Sequence, residues 1–194
     1  MTHLKEKISG LIITYNEEKN IREVLECFDF CDEIIVVDSY SKDKTIDIAR
    51  SFSNVTIVQN KFEDYTKQRN LALDLANNDW VFFLDGDERI SEKGKQEIIE
   101  TVNNPNACDA YYIYRIFFLG QQKIRFSGTQ NDKNFRLFRK SKAYYDDLKK
   151  VHETLLVNGK TGFLENKLLH YSFENYDSFK EKMIYYGQLK GLEL

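Results

Sequence analysis

The chain has 194 residues, with 28 lysines and arginines against 31 aspartates and glutamates, for a net charge of −3. That balance gives no strong attraction to nucleic acid, and no basic motif interleaved with stacking aromatics compensates for it. No apolar stretch approaches the roughly 20 residues needed to cross a bilayer, and three cysteines with three histidines make neither a disulfide framework nor a dedicated zinc centre.

Ile8 to Thr14 reads as a strand and runs into Tyr15-Asn16-Glu17-Glu18, after which Ile21, Val24, Leu25 and Phe28 recur at helical spacing. A second strand, Ile34 to Val37, ends in Asp38-Ser39-Tyr40-Ser41-Lys42-Asp43, and the helix after it carries Ile46, Ile48, Ala49 and Phe52. Val55 to Val58 is a short third strand, followed by a helix over about Tyr65 to Ala76 with Leu71 and Leu75 apolar. Trp80 to Leu84 is the fourth strand and delivers Asp85-Gly86-Asp87. Strands alternating with helices of roughly ten to fifteen residues predict right-handed βαβ crossovers and a mostly parallel sheet. Ligands of such sheets bind beyond the carboxyl ends of the strands. Asn16, Glu17, Asp38 and Asp85 all fall on that edge.

Asp85 and Asp87 are hard oxygen donors one residue apart, a pattern that suits Mg²⁺ or Mn²⁺ arriving with phosphates. Gly86 between them permits close backbone approach to a ligand. Cys27 and Cys31, four apart, and Cys108 read as buried small apolar residues. A helix is expected to start near Ser91, and the single proline, Pro105, marks a turn between two halves of one domain, about 1–104 and about 105–194. Beyond it, Ala110 to Leu119 is long, aromatic and β-prone. Arg136 to Phe138, Leu155 to Val157 and Leu168 to Tyr171 are shorter strand candidates, with turns at Gly159 and Gly162. From about Asn175, Tyr176, Phe179, Met183 and Tyr186 recur at helical spacing and predict a core-packing helix, with a weakly basic interfacial face as the sharper alternative.

Four segments carry a family resemblance: Thr14-Tyr15-Asn16-Glu17-Glu18, Val37-Asp38-Ser39-x-Ser41-x-Asp43-x-Thr45, Gln68-Arg69-Asn70-x-Ala72-Leu73 and Leu84-Asp85-Gly86-Asp87-Glu88. In this order they resemble the motif set of family 2 glycosyltransferases. Phe135 to Lys140, Val151-His152-Glu153 and Leu169-His170-Tyr171-Ser172 resemble the branch containing lipopolysaccharide-core β-glucosyltransferases. The resemblance implies the GT-A fold: an α/β nucleotide-sugar-binding domain with a Rossmann-like, mostly parallel sheet, a smaller β-rich acceptor part and a C-terminal helix. It implies transfer of a sugar from a nucleotide donor, expected to be a UDP-sugar, to a hydroxyl of a cell-surface glycan or lipid-linked glycan, with Mn²⁺ or Mg²⁺.

By the same resemblance, Asp87 coordinates the metal, Asp85 reaches ribose or sugar hydroxyls, and Asp38 recognises base or ribose. Thr14, Tyr15, Asn16, Glu17 and Arg69 fall at donor-binding positions, although a surface arginine and a helix N-terminal charge are the plain readings of Arg69 and Glu17. The base that takes the acceptor proton is expected to be Glu153, with Asp132, Asp146 and Asp147 as rivals and His152 as an orienting group. His170 completes the metal shell or sits as a buried histidine, and both readings stay open. In Arg136-Leu137-Phe138-Arg139, alternation puts the two arginines on opposite faces, with Arg136 directed at donor phosphates. Thr129-Gln130-Asn131-Asp132 departs from the branch, which commonly has tryptophan and proline there, and this leaves the acceptor's identity open.

The N-terminal segment lacks a signal-peptide core, so a cytoplasmic protein is expected, with peripheral contact at the inner membrane face if the acceptor is lipid-linked. The chain stops where members of the branch often continue, so a missing tail is expected. A nucleotidyltransferase would need a glycine-rich basic loop after the first strand, and a dinucleotide oxidoreductase a Gly-x-Gly-x-x-Gly motif; neither is present. The surviving alternative is a catalytically silent nucleotide-binding or partner module on the same fold.

Overall fold

A computed structural model describes residues 6–125, 131–146, 154–173, 175–177, 179–180 and 184. Its first half follows from four apolar runs that become strands, the first, second and fourth buried on both faces and the third half-buried at the sheet edge. These are β1 (Ile8–Thr14), β2 (Glu33–Asp38), β3 (Val55–Gln59) and β4 (Trp80–Phe83). Between them run α1 (Ile21–Glu26), α2 (Thr45–Ala49) and α3 (Tyr65–Leu75). All three pairings among these strands, β1 with β2, β1 with β4 and β2 with β3, are parallel. The spatial order β3-β2-β1-β4 is that of a doubly wound sheet.

The second half comprises β5 (Glu88–Arg89), α4 (Glu92–Val102), β6 (Ala110–Leu119), β7 (Gln122–Lys123), β8 (Lys133–Arg139), β9 (Ala143–Tyr145), β10 (Leu155–Val157), β11 (Thr161–Phe163) and β12 (Leu168–Phe173). The sheet continues past β4 through β8, β6 and β12 to β5. Here the pairing is mixed: β8 is antiparallel to both neighbours, and β12 is parallel to β6 but antiparallel to β5. The mostly parallel sheet expected of the nucleotide-binding part is the first half, the β-rich remainder is the second, and the two share one sheet across β4 and β8.

Side chains alternate across β4 and sort the core into two layers. Trp80, Phe82 and Leu84 pack with Phe28 of the turn after α1 and Ile98 of α4. Val81 and Phe83 pack with Ala72 and Leu73 of α3 and with Tyr145 and Leu155 of the β9–β10 hairpin. Asp64 caps α3 by accepting from the Lys67 amide, and Ser91 caps α4 by accepting from the Gly94 amide. Helices α1 and α2 are shorter than their periodicity predicts, at six and five residues, and neither has a side-chain cap. Phe28 and Phe52, which share their spacing, sit in turns that follow. The short strands β5, β7, β9 and β11 were not anticipated, since two or three residues have no period to read.

Tyr176, Asp177, Phe179 and Lys180 are helical, and the Phe179 ring meets Phe173 edge-on at 4.9 Å. Met183 and Tyr186 of the expected helix lie outside the described residues. Among the described residues no helix is long and apolar enough to cross a membrane.

Candidate active site

The carboxyl ends of β1 and β2 are clasped together by the loops that follow them. Ser41 Oγ accepts from the Asn16 amide at 2.8 Å, Thr45 Oγ1 from the Glu17 amide at 2.7 Å and Asp43 from the Glu18 amide at 3.0 Å. In return, Asn16 Oδ1 accepts from the Lys42 amide at 2.8 Å. The spacing Ser41-x-Asp43-x-Thr45 thus places three oxygens against three consecutive amides. Asn16 holds φ 55° and Tyr40 φ 60°, a left-handed conformation that asparagine tolerates and tyrosine rarely adopts. Tyr15 and Tyr40 are both more than half exposed on this edge. Asp38 is fully buried, accepting from the Ser41 amide at 2.9 Å, the Ser41 hydroxyl at 2.5 Å and Gln59 Nε2 at 3.0 Å. Its carboxylate therefore shapes the wall of the edge. The Thr14 hydroxyl is buried without a partner among the described residues.

Asp85 leaves β4 between two arginines. Arg69 Nη2 of α3 stands 2.7 Å from one carboxylate oxygen, and Arg136 Nη2 of β8 stands 2.5 Å from the other. Burial alone would raise this carboxyl's pKa. The charge of Arg136, then that of Arg69, outweighs it and holds Asp85 well below the usual carboxylate range. Arg136 also meets the fully buried Glu88 at 2.6 Å, and Glu88 reaches Arg115 of β6 at 3.3 Å. Arg115 in turn holds Asp132 at 2.5 Å. Glu88 finally accepts from the Asp85 amide at 3.0 Å, so side chain and backbone of the turn are both pinned. Arg69 further lies over the rings of Phe83 and Tyr145. Arg139 points elsewhere, to Asp79 at 3.3 Å and over the Trp80 ring, as alternation requires. Arg136 does face the edge, yet its guanidinium is committed to Asp85 and Glu88, because a buried cation needs anions.

Asp87 lies in a different corner. Two-residue β5 pairs with β12, setting Glu88 opposite His170, while the Tyr171 amide donates to the Asp87 carbonyl at 2.8 Å. This register brings His170 Nε2 to 3.0 Å from Asp87 Oδ2, with Ser172 Oγ at 3.2 Å from the same nitrogen. Glu17 completes the corner. A Cβ at Gly86 would fall 2.9 Å from Glu17 Cδ, so glycine here makes room for Glu17 within the protein itself. Burial, reinforced by the charge of Asp87, pushes the Glu17 carboxyl up against a hydrogen bond from Asn20. The corner therefore holds two carboxylates and a histidine, with Arg89 as the cation that acts on Glu17, whereas on the Asp85 side the carboxylate is directly clamped by two arginines.

That donor chemistry fits a divalent cation. A carboxylate and an imidazole nitrogen already touch, beside a second carboxylate whose ionisation is disfavoured, and Mn²⁺ accepts both donor types. Among the described residues no ready-made cluster of three acidic, histidine or cysteine ligands exists, so ligand oxygens would have to complete the shell. Of the candidate bases, Asp132 is paired with Arg115 and Asp146 follows β9, its amide donating to the Thr154 carbonyl at 3.3 Å, while Glu153 and Asp147, like the orienting His152, lie outside the described residues. The sequence reading missed Glu88, Arg115 and Gln68. Gln68 is buried and links Ser39, at 2.9 Å, with Asn60, at 2.7 Å. A lone arginine inside the aromatic strand Ala110–Leu119 was the available signal for Arg115.

A doubly wound nucleotide edge joined to a mixed sheet, with an Asp-Gly-Asp turn at the junction, defines a GT-A glycosyltransferase domain. The family model for glycosyl transferase family 2 matches residues 9–164, and the chain belongs to that family and is a glycosyltransferase. It is 32% identical over 201 residues to an uncharacterised glycosyltransferase of Rickettsia typhi, covering 97% of this chain and 68% of that one. It is 27% identical over 169 residues to the lipopolysaccharide core biosynthesis glycosyltransferase LpsC of Rhizobium meliloti, covering 84% and 63%. Among solved structures, S. aureus TarS 1-349 in complex with UDP-GlcNAc superposes with a TM-score of 0.65 at 21% identity, covering 89% of this chain and 60% of that one. The chain thus spans about two thirds of the length of these proteins.

Proposed function

We propose that the chain transfers a sugar from a UDP-sugar to a hydroxyl of a surface glycan of the lipopolysaccharide-core kind, inverting the anomeric centre in a single displacement. The observation that carries this reading is the division of labour across Asp85-Gly86-Asp87, one carboxylate neutralised by arginines and the other set in an acid-rich corner with His170. LpsC supports the acceptor class and the TarS complex supports the uridine donor.

Asp87 and His170 would hold Mn²⁺ or Mg²⁺, which when bound supplies positive charge against the leaving diphosphate. The remaining roles belong to the chain. Asp85, kept ionised, would accept hydrogen bonds from ribose or sugar hydroxyls. Thr14, Tyr15, Asn16, Glu17 and Asp38 would form the nucleoside wall, with the clasp between the first two loops preorganising it. Arg69 and Arg136 would act on the donor mainly by fixing Asp85. Glu153 would take the acceptor proton. The unit extends over 1–194 and would work in the cytoplasm, at the inner membrane face if the acceptor is lipid-linked.

Calorimetry of UDP, GDP and dTDP with and without Mn²⁺, on wild type and Asp87→Ala, tests the donor half. Metal-dependent UDP binding that vanishes in the variant is the expected result. Binding that ignores both metal and substitution would defeat the assignment, and UDP binding without turnover of any UDP-sugar would mark a silent module.

A further inference from the structure

The outer side of the second half-sheet carries a feature that the donor chemistry does not use. On β6, Tyr112 and Tyr114 alternate with Ile113, which is in the core, and Arg115, which is in the Asp85 cluster. The two tyrosines therefore face away from both. Phe135 of β8 stacks on Tyr112 at 3.6 Å between ring centroids, Phe163 of β11 lies 5.3 Å from Tyr112, and Tyr114 lies 5.8 Å from Phe163. The four rings form a near-parallel ladder, with interplanar angles of 25°, 25° and 18°. Phe163 is 52% exposed.

Two cations sit on this ladder. Lys133 Nζ is 4.7 Å from the Phe163 centroid, 5.3 Å from Tyr112 and 5.6 Å from Tyr114, and Lys167 Nζ is 5.4 Å from Tyr114. Ring faces carry the negative end of the aromatic quadrupole and so hold ammonium groups in place. Lys67 and Lys95 each pair with carboxylates, whereas among the described residues neither Lys133 nor Lys167 does. In a chain of net charge −3, this sets two ammonium groups beside one exposed ring, Phe163, and three half-buried ones.

We infer that the ladder is a second saccharide-binding surface, one that takes an anionic, phosphate- or carboxylate-bearing stretch of the acceptor glycan. Resting on the glycan-transfer reading above, it adds a site and a charge requirement to it. Pyranose rings present an apolar face of C–H groups that packs on aromatic faces, tyrosine hydroxyls can meet sugar hydroxyls, and the two ammonium groups await an anion. An anionic membrane is the poorer occupant, since two lysines attract it only weakly and rings stacked on one another offer no wedge to insert.

The test is titration of deacylated lipopolysaccharide core oligosaccharide, phosphorylated and phosphatase-treated, into wild type, Phe163→Ala and Lys133→Ala/Lys167→Ala, with UDP and Mn²⁺ titrated into the same samples. Each variant is expected to bind the phosphorylated oligosaccharide on the order of tenfold more weakly, with UDP binding unchanged. Phosphatase treatment should weaken wild type but not the lysine variant. Unchanged affinity in both variants, no binding to wild type, or lysine-dependent binding to phosphatidylglycerol vesicles in place of the oligosaccharide would overturn the inference. Oligosaccharide binding by a wild type that takes no UDP would sink the donor assignment and leave this surface standing.

Discussion

Asp85 and Asp87 are separated by one glycine and live in opposite electrostatic surroundings. On the Asp85 side, Arg69, Arg136 and Arg115 meet Asp85, Glu88 and Asp132 in a closed network of charges. On the Asp87 side, Asp87 and Glu17 crowd together beside a histidine. The contrast gives the two carboxylates different physical surroundings, in line with the different roles proposed for them. The first carboxylate is fixed, ionised and satisfied within the protein, so its rigidity is what it offers a ligand. The second sits against His170 and near Glu17, whose ionisation its charge opposes.

The largest test of the contrast is removal of the anion at the centre of the network. Glu88→Gln leaves Arg136 and Arg115 short of a counter-charge in a fully buried position, and should cost about 3–5 kcal/mol in urea unfolding. A loss under about 1 kcal/mol would mean that the network does not hold the turn.

Acid titration should then separate the two sides by sign. Asp85 has a depressed folded pKa, so its stabilisation is complete above its unfolded value of about 3.9 and drains away as pH falls below it. Asp85→Asn should flatten that acid limb. Glu17 has a raised folded pKa. The folded state then keeps the proton longer than the unfolded one, and stability declines as pH rises from the ordinary value of 4.5 towards the folded one. Glu17→Gln should remove that decline. Unfolding midpoints of the three proteins between pH 3 and pH 7 check both signs, and a common slope would erase the distinction.

A smaller effect is expected at the glycine between the two sides. Gly86→Ala drives a Cβ to 2.9 Å from Glu17 Cδ. Because the far end of a glutamate can swing away, the cost should be about 1 kcal/mol, the low end for an added methyl. It should shrink in a Glu17→Ala background, and additive costs in that double-mutant cycle would show that the contact is inert. The smallest effect belongs to the exposed Arg50–Asp47 pair at 3.8 Å, where Arg50→Ala should change stability by less than about 0.5 kcal/mol.

The donor edge was legible in the sequence because its strands are continuous apolar runs with polar residues at their carboxyl ends. That Arg136 and Arg139 point to opposite faces was legible from alternation, which did not itself say which of the two meets Asp85. The clasp between Asn16–Glu18 and Ser41–Thr45 was not, although every residue in it belonged to a recognised motif, because backbone amides leave no trace in a side-chain pattern. The meeting of Asp87 with His170 was left open because it depends on β5, a strand of two residues. Glu88 closed the quoted motif but carried no role in the sequence reading. Only the antiparallel return of β8 next to β4 reveals that it is buried between arginines.

That two-residue strand also ties the Asp87 corner to a part of the chain made much later. Its partner β12 (Leu168–Phe173) is, among the described residues, the last strand of the sheet in chain order. All four donor motifs are synthesised by residue 88, yet the corner around Asp87 closes only when His170 has arrived some eighty residues later. A nascent chain carrying all four motifs therefore still lacks the contact between Asp87 and His170, which waits for the synthesis of β12.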